Sequence, residues 1–441
     1  MSNPILAIVG RPNVGKSTLF NRLVGKRIAI VEDTPGITRD RLYANGEWVG
    51  REFMVIDTGG MMLTDLDPFT EQVRIQAEIA MDEADVIVLV VDGRAGVTPT
   101  DIEVAELLRR AHKPVLLAVN KIENQQQERN AVEFYSLGLG EIYPISSLQG
   151  HGVGDLLDKV VESFPAEAEL EAYPEDAIRV ALVGRPNVGK SSMLNAMVQE
   201  ERAIVSNIPG TTRDAVDTLF EHDGQSMVLV DTAGIRRAGK VQHSVEYYCV
   251  LRAVRAIERA DVAILLIDAA DGLKDGDKRV GGYAHEAGRA VIVVVNKWDL
   301  MKGASMREFT AKIREDAPFL SYAPIIFASA KESRGVKEIL DAAILVAQNH
   351  SLRLSTGEIN RIIHDAVDSH PLGQKGKQFK VYYATMPAVK PPTIVIFVND
   401  PEMFHFSYER YLENQIRNAY PYEGTPLRIF ARKAESTLKR G

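Results

Sequence analysis

The chain has 441 residues, a formal net charge of −8, and a composition that is 45% hydrophobic and 25% charged. At roughly 150 residues per domain this predicts about three domains, and the acidic balance excludes wholesale coating of nucleic acid while leaving room for a local basic surface. The single cysteine, Cys249, excludes an intrachain disulfide, fits a reducing compartment and reads as a small buried hydrophobe.

The first residues, MSNPILAIVGRP, have no basic region and no long apolar run, so no secretory signal is expected. ILAIVG reads as a buried strand that enters a glycine-rich loop, and STLFNRLVG as the helix that leaves it, with apolar residues at helical spacing. The loop comprises Gly10, Arg11, Pro12, Asn13, Val14, Gly15, Lys16, Ser17 and Thr18. A G-x-x-x-x-G-K-S run between a strand and a helix is a phosphate-binding signature. Its glycines let backbone N–H groups wrap phosphates. Lys16 is expected to reach the β- and γ-phosphates and Ser17 to hold Mg²⁺, with the helix N-terminus favouring the anion.

GITRD (36–40) follows, where Thr38 sits in a loop able to close a hydroxyl over Mg²⁺ when a γ-phosphate is present. EFMVIDTGG reads as a strand ending in Asp57, a carboxylate near the metal, and Gly60 offers an N–H to the γ-phosphate. ADVIVLVVDG, KPVLLAVNK and EIYPISS are further short apolar runs that end in polar loops, with helical segments such as TDIEVAELLRRA between them. This alternation predicts a mostly parallel sheet with both faces covered and a ligand beyond the carboxyl ends of its strands. The NKIE and ISS blocks fall at those ends and bring Asn120, Lys121, Glu123, Ser146 and Ser147.

PAEAELEAYPEDA (165–177) holds five acidic residues, two prolines and no basic residue, and reads as a solvated linker over 166–177 between domains at 1–165 and 178–350. Beyond it the pattern repeats. GRPNVGKS returns unchanged as Gly184, Arg185, Pro186, Asn187, Val188, Gly189, Lys190 and Ser191, followed by Ser192. GTTRD carries Thr212, DTAG carries Asp231 and Gly234, NKWD carries Asn296, Lys297 and Asp299, and ASA (328–330) carries Ser329 and Ala330. The offset is 174 positions for Gly10 and Gly184, for Gly36 and Gly210, and for Asp57 and Asp231; it is 176 for Asn120 and Asn296. Four blocks in one order mean a duplicated domain.

Asp299 can accept hydrogen bonds from guanine N1–H and its 2-amino group, for which adenine has no counterpart, so GTP is expected rather than ATP. Asn296 and Lys297 brace the loop and cover the base, and the ASA backbone meets the base oxygen. The first copy has Glu123 in place of this Asp, which pushes the carboxylate about 1.5 Å outward. Its phosphate chemistry is expected to be intact and its guanine contacts weaker.

After residue 350 the pattern changes. TGEINRIIHDAVDS reads as a helix, KQFKVYYATM and PPTIVIFVND as a hairpin, SYERYLENQIRNAY as a helix and PLRIFAR as a last strand, which together make a small α+β domain over 351–441. It carries 13 Lys/Arg against 9 Asp/Glu, net +4, on a body of net −12. GQKG (373–376) precedes a strand instead of joining two helices, so it reads as a turn rather than a nucleic-acid clamp; Lys375, Lys377 and Lys380 can still meet phosphate. GIRRAGK (234–240) places Arg236, Arg237 and Lys240 in a mobile loop, where contact with a neighbouring domain and contact with RNA both remain open. The histidines show no metal-ligand spacing. The longest apolar runs, VIVLVV, VAILLI and AVIVVV, fall short of the roughly 20 residues of a membrane span, so a soluble cytoplasmic protein is expected.

With the P-loop, DxxG and NKxD in order, the chain resembles the Era-like GTPases. Two such domains before a small α+β domain resemble the Der (EngA) family of bacterial double GTPases over essentially the whole length. The resemblance implies an α/β fold with two tandem P-loop GTPase domains and a C-terminal KH-like α+β domain packed between them. It implies a GTP-hydrolysing switch, cycling between GTP and GDP with Mg²⁺, that works as a monomer with the large ribosomal subunit and its rRNA during assembly. It also implies that Asn13 and Asn187 help bind K⁺ beside the phosphates, where other GTPases use an arginine finger. The residue after DxxG is Met61 in one copy and Ile235 in the other, and neither can orient the attacking water as Gln does. The expected catalytic set is therefore Lys16, Thr38, Gly60, Lys190, Thr212 and Gly234, aided by the ions. One alternative is a GTPase partner of a tRNA-modification complex, although the tail ends Lys439-Arg440-Gly441 without the Cys such proteins use. A metabolic P-loop kinase would need a lid and an acceptor site and would not need NKxD.

Overall fold

The computed structural model describes residues 4–24, 43–57, 73–74, 76–78, 80–81, 84–165, 173–174, 176–200, 206–207, 217–230, 245–374 and 377–434. Most of the acidic linker lies outside these, as does the side chain of Cys249. The chain forms two compact units, the first built on a six-stranded sheet and the second on a seven-stranded and a three-stranded sheet.

The first sheet contains β1 (Ile5–Val9), β2 (Tyr43–Trp48), β3 (Arg51–Asp57), β4 (Val86–Asp92), β5 (Val115–Asn120) and β6 (Ile142–Pro144) in the order β2-β3-β1-β4-β5-β6. All pairings are parallel except β2 with β3. Every residue of β4 is buried, as an unbroken apolar run requires when helices cover both faces. Helix α1 (Lys16–Val24) turns Leu19, Phe20 and Leu23 into that core. Strand β2, YANGEW, carries no unbroken apolar run to mark it in the sequence. It forms because Val49 and Gly50, at φ 50° and 78°, make the tight reversal that suits a two-residue hairpin. Gly46 also leaves room for Phe53, whose ring would lie 2.9 Å from any Cβ there.

The second sheet repeats the plan. It contains β7 (Ile178–Val183), β8 (Ser206–Asn207), β9 (Thr218–His222), β10 (Gln225–Val230), β11 (Val262–Asp268), β12 (Ala290–Asn296) and β13 (Ile325–Phe327) in the order β13-β12-β11-β7-β10-β9-β8. Strand β7 lies between β10 and β11 as β1 lies between β3 and β4. In each sheet the chain leaves this strand where the order reverses, so the glycine loop that follows opens at the crevice where ligands bind in such folds. No helix among the described residues is long and apolar enough to cross a membrane.

The C-terminal segment begins with α2 (Thr356–Ser369), capped by a reciprocal pair in which Glu358 N–H donates to Ser355 Oγ and Ser355 N–H to Glu358. Strands β14 (Gly373–Gln374) and β15 (Lys377–Gln378) make a small antiparallel hairpin, so GQKG does not join two helices; Lys375 and the Lys377 side chain lie outside the described residues, and Lys380 is exposed. Strands β16 (Val381–Ala388) and β17 (Thr393–Val398) pair antiparallel, and after α3 (Phe406–Ala419) strand β18 (Arg428–Lys433) joins β17 in parallel. Ile359 and Ile363 from one helix, and Leu412 and Ile416 from the other, sit four residues apart and meet Ile394 and Ile396 in one core.

Within the second unit this domain is bonded to the sheet-bearing domain through main chain. Val291 N–H donates to Gly424 O (2.7 Å) and Gly424 N–H to Tyr322 O (2.8 Å). Asn349 Nδ2 donates to Glu423 O (3.1 Å) and Arg428 to Glu286 O (2.7 Å). Gly424 has φ 73°, and a Cβ there would lie 2.4 Å from Val346 Cγ2, so the junction needs glycine on both counts.

Candidate functional site

The two glycine-rich loops share one conformation. Lys16 and Lys190 open the helices that follow them and turn their ammonium groups back along the loop. Lys16 Nζ donates to Gly10 O (2.5 Å) and Arg11 O (2.9 Å), and Lys190 Nζ to Gly184 O (2.8 Å) and Arg185 O (2.7 Å). Asn13 and Asn187 both lie in the left-handed region, at φ 65° and 64°, which Asn tolerates better than most residues. Val14 and Val188 anchor the loops in their cores, Pro12 and Pro186 are half-buried, and Ser17, Thr18, Ser191 and Ser192 are exposed at the helix starts.

The NKx(D/E) elements reach these loops by identical contacts. Asn120 Nδ2 donates to Val14 O (2.7 Å) and its Oδ1 accepts from Ser147 N–H (2.9 Å). Asn296 Nδ2 donates to Val188 O (2.8 Å) and its Oδ1 accepts from Ala330 N–H (3.0 Å). Lys121 Nζ bonds Asn13 O (2.7 Å) and Asp92 (2.6 Å); Lys297 Nζ bonds Asn187 O (2.7 Å) and Asp268 (2.6 Å). Gly15 and Gly189 make this approach possible, since a Cβ on either would come within 2.3 Å of the Asn amide. Ser146 and Ser329, both buried, accept from Gln149 and Glu332 N–H and hold the loops behind the Asn residues.

Burial pushes the Lys16 ammonium down to about 8, only partly opposed by the nearby Asp57 carboxylate. Burial works against ionisation of Asp92 and Asp268, but the Lys121 and Lys297 ammonium groups together with the Arg94 and Ala270 backbone N–H groups outweigh it and lower both. Asp57 is buried where β3 ends. Its carboxylate and the Ser17 hydroxyl are hard oxygen donors of the kind Mg²⁺ takes. Thr38, Gly60, Met61, Thr212, Asp231, Gly234, Ile235, Arg236, Arg237 and Lys240 lie outside the described residues.

Sequence reading missed several partners. Asp92 and Asp268 clamp the NKx(D/E) lysines, and buried Asp101 and Asp277 face the loop arginines, Arg11 at 3.6 Å and Arg185 at 2.9 Å. Asp277 remains raised, because burial exceeds the help from Arg185. Each of these acids keeps the 176-residue offset of the NKx(D/E) blocks, which was the available signal. Arg94, which pairs with Glu123 at 2.7 Å, has Ala270 at the equivalent position of the second copy, so the repeat gives no signal for it.

Comparison with known proteins bears on the whole chain. A family model described as "50S ribosome-binding GTPase" matches residues 5–121 and 179–297, and one described as "KH-domain-like of EngA bacterial GTPase enzymes, C-terminal" matches 353–432. GTPase Der of Listeria monocytogenes serotype 4a (strain HCC23) is 56% identical over 98% of this chain and 100% of its own length. GTPase Der of Geobacillus kaustophilus (strain HTA426) is 56% identical over 98% of this chain and 99% of its own.

Proposed function

The chain belongs to the GTPase Der (EngA) family, and from that premise we propose that it is a Mg²⁺-dependent, K⁺-stimulated GTP switch acting in maturation of the large ribosomal subunit. Two GTPase domains over 1–165 and 178–350, an acidic linker over 166–177 and a KH-like domain over 351–441 make up the switch, which works as a cytoplasmic monomer. The observation that carries this reading is the repeated staple between the base-reading element and the phosphate loop, Asn120 to Val14 and Asn296 to Val188. It supports the reading by tying the NKx(D/E) element directly to the glycine-rich loop in each copy.

In this reading the loop N–H groups and Lys16 or Lys190 hold the β- and γ-phosphates, and each lysine exchanges its two carbonyl partners for phosphate oxygens. Asp299 in the second site and Glu123 in the first accept the guanine N–H groups. Ser17 and Asp57, with Thr38, would hold Mg²⁺ in the first copy, and Ser191, Asp231 and Thr212 in the second. Bound Mg²⁺ and K⁺ supply positive charge where the transferring phosphoryl group spreads its negative charge. Asn13 and Asn187 would hold K⁺ through side-chain oxygens, since Lys121 and Lys297 already engage their backbone carbonyls. Water attacks the γ-phosphate in line, and the Gly60 and Gly234 N–H groups steady it.

GTP turnover with Mg²⁺ should fall at least about tenfold when K⁺ is replaced by Na⁺ at equal ionic strength, as an arginine finger elsewhere supplies about 10³–10⁵ and a fixed cation recovers part of that. ATP should not be turned over. Equal rates in the two salts would remove K⁺ from the mechanism, and comparable ATP turnover would contradict the assignment of the base readers.

A further inference from the structure

We infer that Arg94 is a specificity-determining residue of the first nucleotide site, holding the Glu123 carboxylate where a guanine base can use it. The inference rests on the proposed reading of NKIE as a base reader. The chain supplies its own control, because Arg94 and Ala270 occupy the same station. Arg94 N–H donates to Asp92 Oδ1 (3.0 Å), and Ala270 N–H donates to Asp268 Oδ1 (2.9 Å). Around them the Asn and Lys contacts of the two copies agree to about 0.1 Å. Two differences then coincide. The copy with the longer acid, Glu123, has an Arg beside it, and the copy with the shorter acid, Asp299, has an exposed Ala. Among the described residues Asp299 has no ion pair.

The extra methylene gives Glu123 one more rotatable bond, and an unrestrained Glu spreads its carboxylate over several rotamers. Arg94 Nη2 holds Glu123 Oε1 at 2.7 Å, and Gln127 Oε1 accepts the Glu123 N–H at 2.7 Å, so both ends of the residue are fixed. A carboxylate offers about four acceptor positions. The ion pair takes one on Oε1, which leaves acceptor positions on both oxygens for guanine N1–H and the 2-amino group. The pair is half in water, Arg94 at 52% and Glu123 at 30% exposure, where ion pairs contribute little to stability. Its effect is to position the acid rather than to hold the fold together.

The test uses the full chain carrying Lys190→Ala, so that only the first site reports, titrated with GDP and with IDP, which lacks the 2-amino group. Arg94→Ala should weaken GDP about tenfold, the lower end for a charged hydrogen bond, and reduce the preference for GDP over IDP. Arg94→Lys should restore part of both. In a Glu123→Asp background, which reproduces the second copy, Arg94→Ala should change neither. Equal losses for GDP and IDP would reduce Arg94 to a scaffold role, and tighter GDP binding would mean that it withholds the carboxylate; either overturns the inference. The same loss in the Glu123→Asp background would also overturn it. If the parent first site bound ADP as tightly as GDP, the reading of NKIE itself would fall, a result distinct from an Arg94 effect.

Discussion

Lys190→Ala should lower the affinity of the second site for GTP by about two to four orders of magnitude, and Lys16→Ala should do the same at the first. Each ammonium already spans two loop carbonyls, Gly184 and Arg185 or Gly10 and Arg11, and in the proposed reading it would exchange them for phosphate oxygens. Losing two charged hydrogen bonds at about 1.5–3 kcal/mol each amounts to about 3–6 kcal/mol, or about 10²–10⁴ in affinity. Lys16 is buried and held down at about 8, so a bound polyanion also relieves an unfavourable environment. Calorimetric titration with a non-hydrolysable GTP analogue measures both variants. Each should leave the other site unchanged, and a loss below about threefold would mean that the loop N–H groups hold the phosphates alone.

Acidification should weaken the second unit between pH 6.5 and about 4. His350 is 1% exposed, its Nδ1 has no hydrogen-bond partner among the described residues, and burial pushes its imidazole down to about 4. Asp261 pulls it upward, while Arg289, Lys390 and Arg428 add to the depression. The folded chain thus refuses a proton that the unfolded chain accepts. The His350 contribution is complete above 6.5, declines as pH falls toward 4 and then levels off. The span corresponds to about 3 kcal/mol at its limit. His285, beside Tyr322 Oη at 3.0 Å and near Arg428 and Arg417, is also held at about 4 and acts in the same direction. Urea unfolding at pH 7, 5.5 and 4.5 should show a shallower pH dependence for His350→Phe than for the parent chain. Parallel curves would show that His350 does not carry the effect.

Much of the fold is legible in the sequence because local and global signals agree. VIVLVVD has one plausible place, the middle of a covered sheet. TGEINRIIHDAVDS carries both its cap and its periodicity and becomes a helix over those residues. The phosphate loops are legible because lysine, glycine and strand–helix context lie within one short stretch. YANGEW is not legible, since its strand exists only through pairing with β3 across the Val49–Gly50 turn. The acids that clamp the NKx(D/E) lysines are hidden for another reason. Asp92 ends β4 and Lys121 follows the end of the adjacent parallel strand β5, 29 residues apart, a separation with no periodic trace. Arg94 is less legible still, because only the ion pair in the folded chain ties it to Glu123.

The central claim is that two GTP sites in one chain govern its engagement with the large ribosomal subunit. In the proposed reading a switch loop that closed only on a γ-phosphate would give each domain two surfaces, and two domains would give four states, among which a partner selects only through differential contacts. The most direct measurement is co-sedimentation of the full chain with purified large subunits in the presence of a non-hydrolysable GTP analogue or GDP, across a salt series. The account predicts stronger binding with the analogue, weakening by either Lys16→Ala or Lys190→Ala alone, and a decline with salt as basic residues release counterions from rRNA. Equal binding with GDP and the analogue, unchanged in both variants, would contradict it.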